Sequence, residues 1–127
     1  MARVTIAYAQ ASGRPTMDHP LGVVAQDEFG VAVERVDQDV FALAERLGVP
    51  PLTFAGWLQG AQARLEPYFI RTRTGIETVA VSDPRWLTRF VAPSLVDTVT
   101  YGPIHEEPGD AATVAKRIAS RLASEIR

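Results

Sequence analysis

Two histidines, five serines and no cysteine are what the chain offers for imidazole or nucleophilic chemistry. His19 lies in a Pro-rich stretch. His105 opens His105-Glu106-Glu107, where an imidazole beside two carboxylates could hold a hard metal or exchange a proton. Neither HExxH nor a spaced third ligand accompanies either histidine, so a solvated turn before a helix is the expected state of that tripeptide. Ser12, Ser82, Ser94, Ser120 and Ser124 all fall outside any Gly-x-Ser-x-Gly turn. The chain also lacks Gly-x-Gly-x-x-Gly and Gly-x4-Gly-Lys-Ser/Thr, the backbone cradles for dinucleotides and phosphates. The absence of cysteine removes disulfides, thiolate metal sites and thiol nucleophiles together. No catalytic residue, metal or cofactor is expected, and an enzyme of unfamiliar type is the third-ranked reading.

A second constellation is basic and aromatic. Arg64, Arg71, Arg73, Arg85 and Arg89 are interleaved with Tyr68, Phe69, Trp86 and Phe90, a mixture that can track phosphates and stack bases. The competing reading is the solvated face of a hairpin, with Arg71 and Arg73 alternating outward. Six acidic residues and two Arg lie between Asp27 and Gly48, against five Arg and three acids between Arg64 and Arg89. One stretch is acidic and another basic, while the net charge of −2 gives no general attraction to nucleic acid or anionic lipid.

These residues must be positioned by a fold that 127 residues can build as one domain, spanning residues 1–127. With 46% hydrophobic and 22% charged residues the chain is globular in composition. No apolar run reaches the ~18 residues of a membrane span, and no secretory signal follows Met1, so a cytoplasmic site of synthesis is expected.

Arg3 to Tyr8 alternates Val4, Ile6 and Tyr8 with smaller or polar residues and predicts a strand. Residues 10–20 are rich in turn formers and predict a long loop or arm. From Leu21 to Val36 the pattern is ambiguous. Phe29, Val31 and Val33 alternate, yet Val33, Val36, Val40, Leu43 and Leu47 have helical spacing, which favours a helix from Val31 or Asp37 to Leu47, stopped by Gly48 and Pro50-Pro51.

Leu52 to Glu66 predicts a second helix, weakened by Gly56 and Gly60. Tyr68 to Thr74 and Ile76 to Ser82 predict a β-hairpin about Gly75. Asp83-Pro84 predicts a capped short helix to Phe90, followed by a strand from Val96 to Tyr101. Asp110 caps a last helix with Val114, Ile118, Leu122 and Ile126 on one stripe. The expected class is α+β: a small mixed or antiparallel sheet and a central β-hairpin packed against two to three helices, with a C-terminal amphipathic helix.

Phe41 to Val49, with Thr53, Trp57, Leu58 and Gly60, resembles the helix-turn-helix segment of phage-repressor-like regulators. That resemblance implies a second helix in the DNA major groove. The segment departs from the pattern, since Pro50 and Pro51 occupy the turn, and Leu52, Phe54, Ala55, Gly56 and Trp57 stand where base-reading polar residues belong. In layout and size the chain is also similar to small neck and tail-terminator proteins of tailed phages.

That likeness implies a non-enzymatic subunit of a larger assembly, forming a ring, located in a virion and partnered by itself and other protein subunits, with nucleic acid and membrane unlikely partners. The alternative is a helix-turn-helix DNA-binding regulator. The interface residues expected under the assembly reading are Arg71 and Arg73 on the hairpin, Glu34, Asp37 and Asp39 as acidic counterpart, and Arg14 and Pro15 in the arm.

Overall fold

The structure, a computed structural model, describes residues 1–10, 18–92 and 98–126. In chain order the described elements are β1 (Ala2–Ala9), β2 (Pro20–Asp27), β3 (Gly30–Arg35), α1 (Val40–Leu47), α2 (Leu52–Ala55), α3 (Trp57–Ala63), β4 (Tyr68–Thr72), β5 (Gly75–Val79), α4 (Pro84–Phe90), β6 (Val99–Tyr101), β7 (His105–Glu107) and α5 (Ala111–Ile126). The class is the expected α+β, with antiparallel sheets and a C-terminal amphipathic helix.

The main sheet runs β3-β2-β1, and β1 is edged by two short strands in line. β6 pairs with Ala7 to Ala9 and β7 with Ala2 to Val4. The sheet is buried on both faces because its side chains alternate between two cores. Ala2, Val4, Val23 and Ala25 face α5, whose Val114, Ile118 and Leu122 cover them. Ala7, Ala9 and Val24 face the opposite way, onto α1 to α4 through Leu43, Phe54, Trp57, Leu87 and Phe90. Small residues on β1 bring these helices close. Gly22 does the same on β2, since a Cβ there would lie 2.2 Å from Trp57 Cζ3 and 2.8 Å from the Glu34 carbonyl.

The helix ends follow their sequence signals. Asp39 Oδ1 accepts from the Phe41 and Ala42 N–H groups, and Gly48 closes α1 at φ 71°, ψ 30°. Asp83 caps α4, with Pro84 in its first turn. Asp110 Oδ2 accepts from the Thr113 N–H at the start of α5. A second carboxylate reaches the same place. Asp27 Oδ1 accepts from the Phe29 and Gly30 N–H groups in the β2–β3 turn, and its Oδ2 accepts from the Ala111 N–H at 2.8 Å. These bonds, that from Ala111 foremost, hold the Asp27 carboxyl below its ordinary 3.8 in spite of partial burial.

Three expectations are corrected. Residues from Val31 to Arg35 are strand, not the start of α1, because Val31 and Val33 pack with the α1–α4 core while Ala32 packs beneath α5. The helical spacing across Val33, Val36 and Val40 is the accidental junction of two elements with different periods. The helix over Leu52 to Glu66 is broken at Gly56 (φ −91°, ψ 5°) into α2 and α3, and Phe54 and Trp57 on either side of the break are both buried. His105-Glu106-Glu107 is a strand and not a turn, because the first half of β1 needs backbone partners on that edge. The predicted Val96 to Tyr101 strand is found as β6, and its first two residues lie outside the described ones, as does most of the 10–20 loop.

Gly22→Ala is expected to cost about 2–3 kcal/mol through overpacking against Trp57 and the β3 backbone, read from the chemical-denaturation midpoint. Asp27→Ala is expected to cost about 1–2 kcal/mol at neutral pH by freeing three N–H groups. Since the folded value of Asp27 lies below the unfolded one, its contribution is complete above the unfolded value and drains away as pH falls through the folded one. The gap between wild-type and Asp27→Ala midpoints should therefore narrow between about pH 5 and pH 2.

Candidate assembly interface

The β4–β5 hairpin is a two-stranded sheet of its own, joined to no other strand among the described residues. Such a ribbon is marginal in water alone, so its position depends on what grips its base. Tyr68 stacks on Trp86 at 5.8 Å, Trp86 on Phe90 at 5.0 Å, and Tyr101 of β6 meets the Phe90 ring edge-on at 5.7 Å. The Trp86 indole N–H donates to the Glu66 carbonyl at 2.7 Å. From the sheet, buried Gln26 donates through Nε2 to the Val81 and Asp83 carbonyls. On the near side Arg85 pairs with Glu77 at 2.8 Å and Asp83 at 2.9 Å. Its hydrogen bonds to Asp83, then Glu77, raise the guanidinium further above its ordinary value.

Beyond that base every residue from Phe69 to Thr78 is exposed. The register sets Phe69 opposite Thr78 and Arg71 opposite Ile76, so these four share the face turned away from Tyr68 and Val79. Phe69 is 70% and Ile76 72% exposed, diagonal neighbours on a ribbon that buries neither. Arg71 stands between them and Arg73 lies in the turn. Among the described residues neither has an ion-pair partner. Phe29, Phe41 and Leu52, elsewhere in the chain, are also exposed.

The rest of the basic and aromatic constellation is absorbed inside the chain. Arg64 lies over the Phe90 ring at 4.4 Å and donates to the Phe90 carbonyl. Arg89 lies over Tyr68 at 5.3 Å. Trp86 and Phe90 are fully buried and offer no stacking surface. A cavity of ≈ 370 Å³ beside them is lined by Trp57, Ala61, Arg64, Phe90, Val99 and Tyr101, and among the described residues its wall holds no carboxylate, imidazole or serine.

The acidic counterpart is dispersed. Glu34 is half-buried on β3, Asp37 is exposed in the link to α1, and both border a groove under α5. The Asp39 carboxylate is engaged as the cap of α1. No ion pair among the described residues joins Glu34, Asp37 or Asp39 to Arg71 or Arg73, so the two charge sets do not neutralise each other within one chain. Arg14 and Pro15 lie outside the described residues.

On α2 and α3 the outward positions are Leu52, Gly56, Gln59, Gly60, Gln62 and Ala63. His105 Nε2 stands 3.3 Å from Glu107, which also faces Arg117. Among the described residues no three or more His, Asp or Glu are grouped to hold a metal ion, and no helix is long and apolar enough to cross a membrane. The apolar pair Phe69 and Ile76 escaped the sequence reading because a ribbon with hydrophobic residues on both faces has no period-2 contrast to expose it.

Comparison of the chain with protein-family models, curated protein sequences and solved structures finds no match.

Phe69→Ser is expected to change the unfolding free energy by less than about 0.5 kcal/mol, as for an exposed side chain away from the core. Tyr68→Ala, which removes the ring stacked on Trp86, is expected to cost about 2 kcal/mol or more. Paired denaturation curves check both.

Proposed function

We propose that the protein is a non-enzymatic subunit of a larger protein assembly, a ring-forming neck or tail component of a phage virion whose hairpin reaches its neighbours. One observation carries this reading: an anchored β-ribbon presents Phe69, Ile76, Arg71 and Arg73 to solvent with nothing among the described residues of its own chain to cover them. Apolar side chains gathered on a projecting ribbon mark a surface that another protein buries. Unpaired guanidinium groups beside them suit charge-guided docking, which sets register and partner choice.

The element order and chain size carry the phage component of the reading. Function on this account is geometric. The partners are further copies of the chain and neighbouring subunits, and the residues at work are those of the hairpin.

Arg71→Glu with Arg73→Glu is expected to leave the fold intact and abolish self-association, so that native mass spectrometry at micromolar concentration gives one-chain masses where wild type gives a discrete oligomer. Assembly of the variant like wild type would refute the role of the hairpin charges. Retardation of duplex DNA by the wild-type chain at low salt, where phosphate contacts are strongest, would favour a regulator instead.

A further inference from the structure

The main sheet ends in two unlike edges. On one side β6 and β7 are three residues each, separated by Gly102-Pro103-Ile104. Short strands and proline are how proteins keep an edge from pairing with another chain. The other edge is β3, in unbroken register with β2 from Gly30 to Arg35, with neither proline nor bulge. The Val36 N–H donates to the Leu21 carbonyl. By the alternation of an antiparallel ladder, the backbone groups of Ala32 and Glu34 therefore turn toward β2, and those of Val31, Val33 and Arg35 turn outward. Among the described residues no strand meets that outward side.

A groove of ≈ 460 Å³ runs between the end of β3 and α5, bordered by Glu34 and Asp37 and lined on the helix by Ala119, Ser120 and Ala123. Small side chains along a helix leave room for large ones from outside. We infer that the β3 edge accepts strand β4 of a second copy, with Phe69 over the small residues of α5 and Arg71 beside Glu34. The inference rests on the assembly reading above and supplies its acceptor surface.

The match is specific. β4 has five residues against six in β3, and its outer edge is likewise unpaired among the described residues. Phe69 and Arg71 project from one face of β4, as Ala32 and Glu34 do from the α5 face of β3. Arg35 and Lys116 also border the groove, so its charge is mixed. Backbone pairing and the Phe69 ring supply affinity there, and the Glu34 carboxylate supplies register. Because each copy gives a hairpin and receives one at a different surface, the contact is heterologous and closes into a ring or continues as a filament.

The test mixes two broken chains. One carries Arg71→Glu and Arg73→Glu; the other carries Val33→Pro, which removes an outward N–H at an edge position where proline is tolerated. Circular dichroism checks that the second chain is folded, and Glu34→Arg serves as an independent acceptor variant. Each chain alone is expected to run at the mass of one copy in native mass spectrometry. An equimolar mixture is expected to give a species of twice that mass, joined by the one intact hairpin and the one intact edge. Acceptor variants that assemble like wild type would overturn the β3 docking while leaving assembly through the hairpin standing. A wild-type chain that stays monomeric at every concentration would overturn both.

Discussion

The hairpin can stand clear of the domain only because Trp86 holds its base. A two-stranded ribbon contributes little stability of its own. Its first residue, Tyr68, is stacked on an indole that is itself clamped between Phe90 and the Glu66 carbonyl. Gln26 extends that grip into the centre of the sheet, because its buried amide donates to two carbonyls in the link between β5 and α4. Through these contacts the direction of the ribbon is fixed by the same core that folds the domain. Exposed side chains on it are thus held at a defined place and are not free to collapse onto the nearest apolar surface.

The distribution of charge follows from the same arrangement. Arg64 and Arg89 spread their guanidinium groups over aromatic rings, and Arg85 joins Glu77 and Asp83, so each serves the hairpin base. Asp27, Asp39, Asp83 and Asp110 spend their carboxylates on backbone N–H groups at turns and helix starts. Arg71 and Arg73 lie outward on the hairpin and have no ion-pair partner among the described residues. Exposed cationic side chains beside Phe69 and Ile76 are the feature on which the proposed recognition of another protein rests.

The sequence carried the punctuation of the fold more clearly than its pairing. Gly48, Asp83-Pro84 and Asp110 marked helix boundaries because capping is local, decided by a residue and its next few neighbours. The hairpin about Gly75 was legible for the same reason. The β2–β3 pair was not, since β2 is buried on both faces and shows no alternation, while the valines of β3 run into those of α1 at a spacing that imitates a helix. β7 was hidden because three residues of mostly exposed polar character become a strand only when the edge of β1 requires partners. The exposure of Arg71 and Arg73 was legible from alternation on the hairpin. The loneliness of the ribbon was not, because it depends on what the main sheet declines to pair with.

Hydrogen–deuterium exchange of the wild-type chain, followed as the protein is diluted from an assembled to a dissociated state, tests most directly whether the hairpin is the interface. The account expects amides between Tyr68 and Val79 to be protected at high concentration and to exchange quickly on dilution, while those of α5, anchored in the core, keep their protection throughout. Fast exchange of the hairpin amides at every concentration, in a chain that nonetheless assembles, would contradict it.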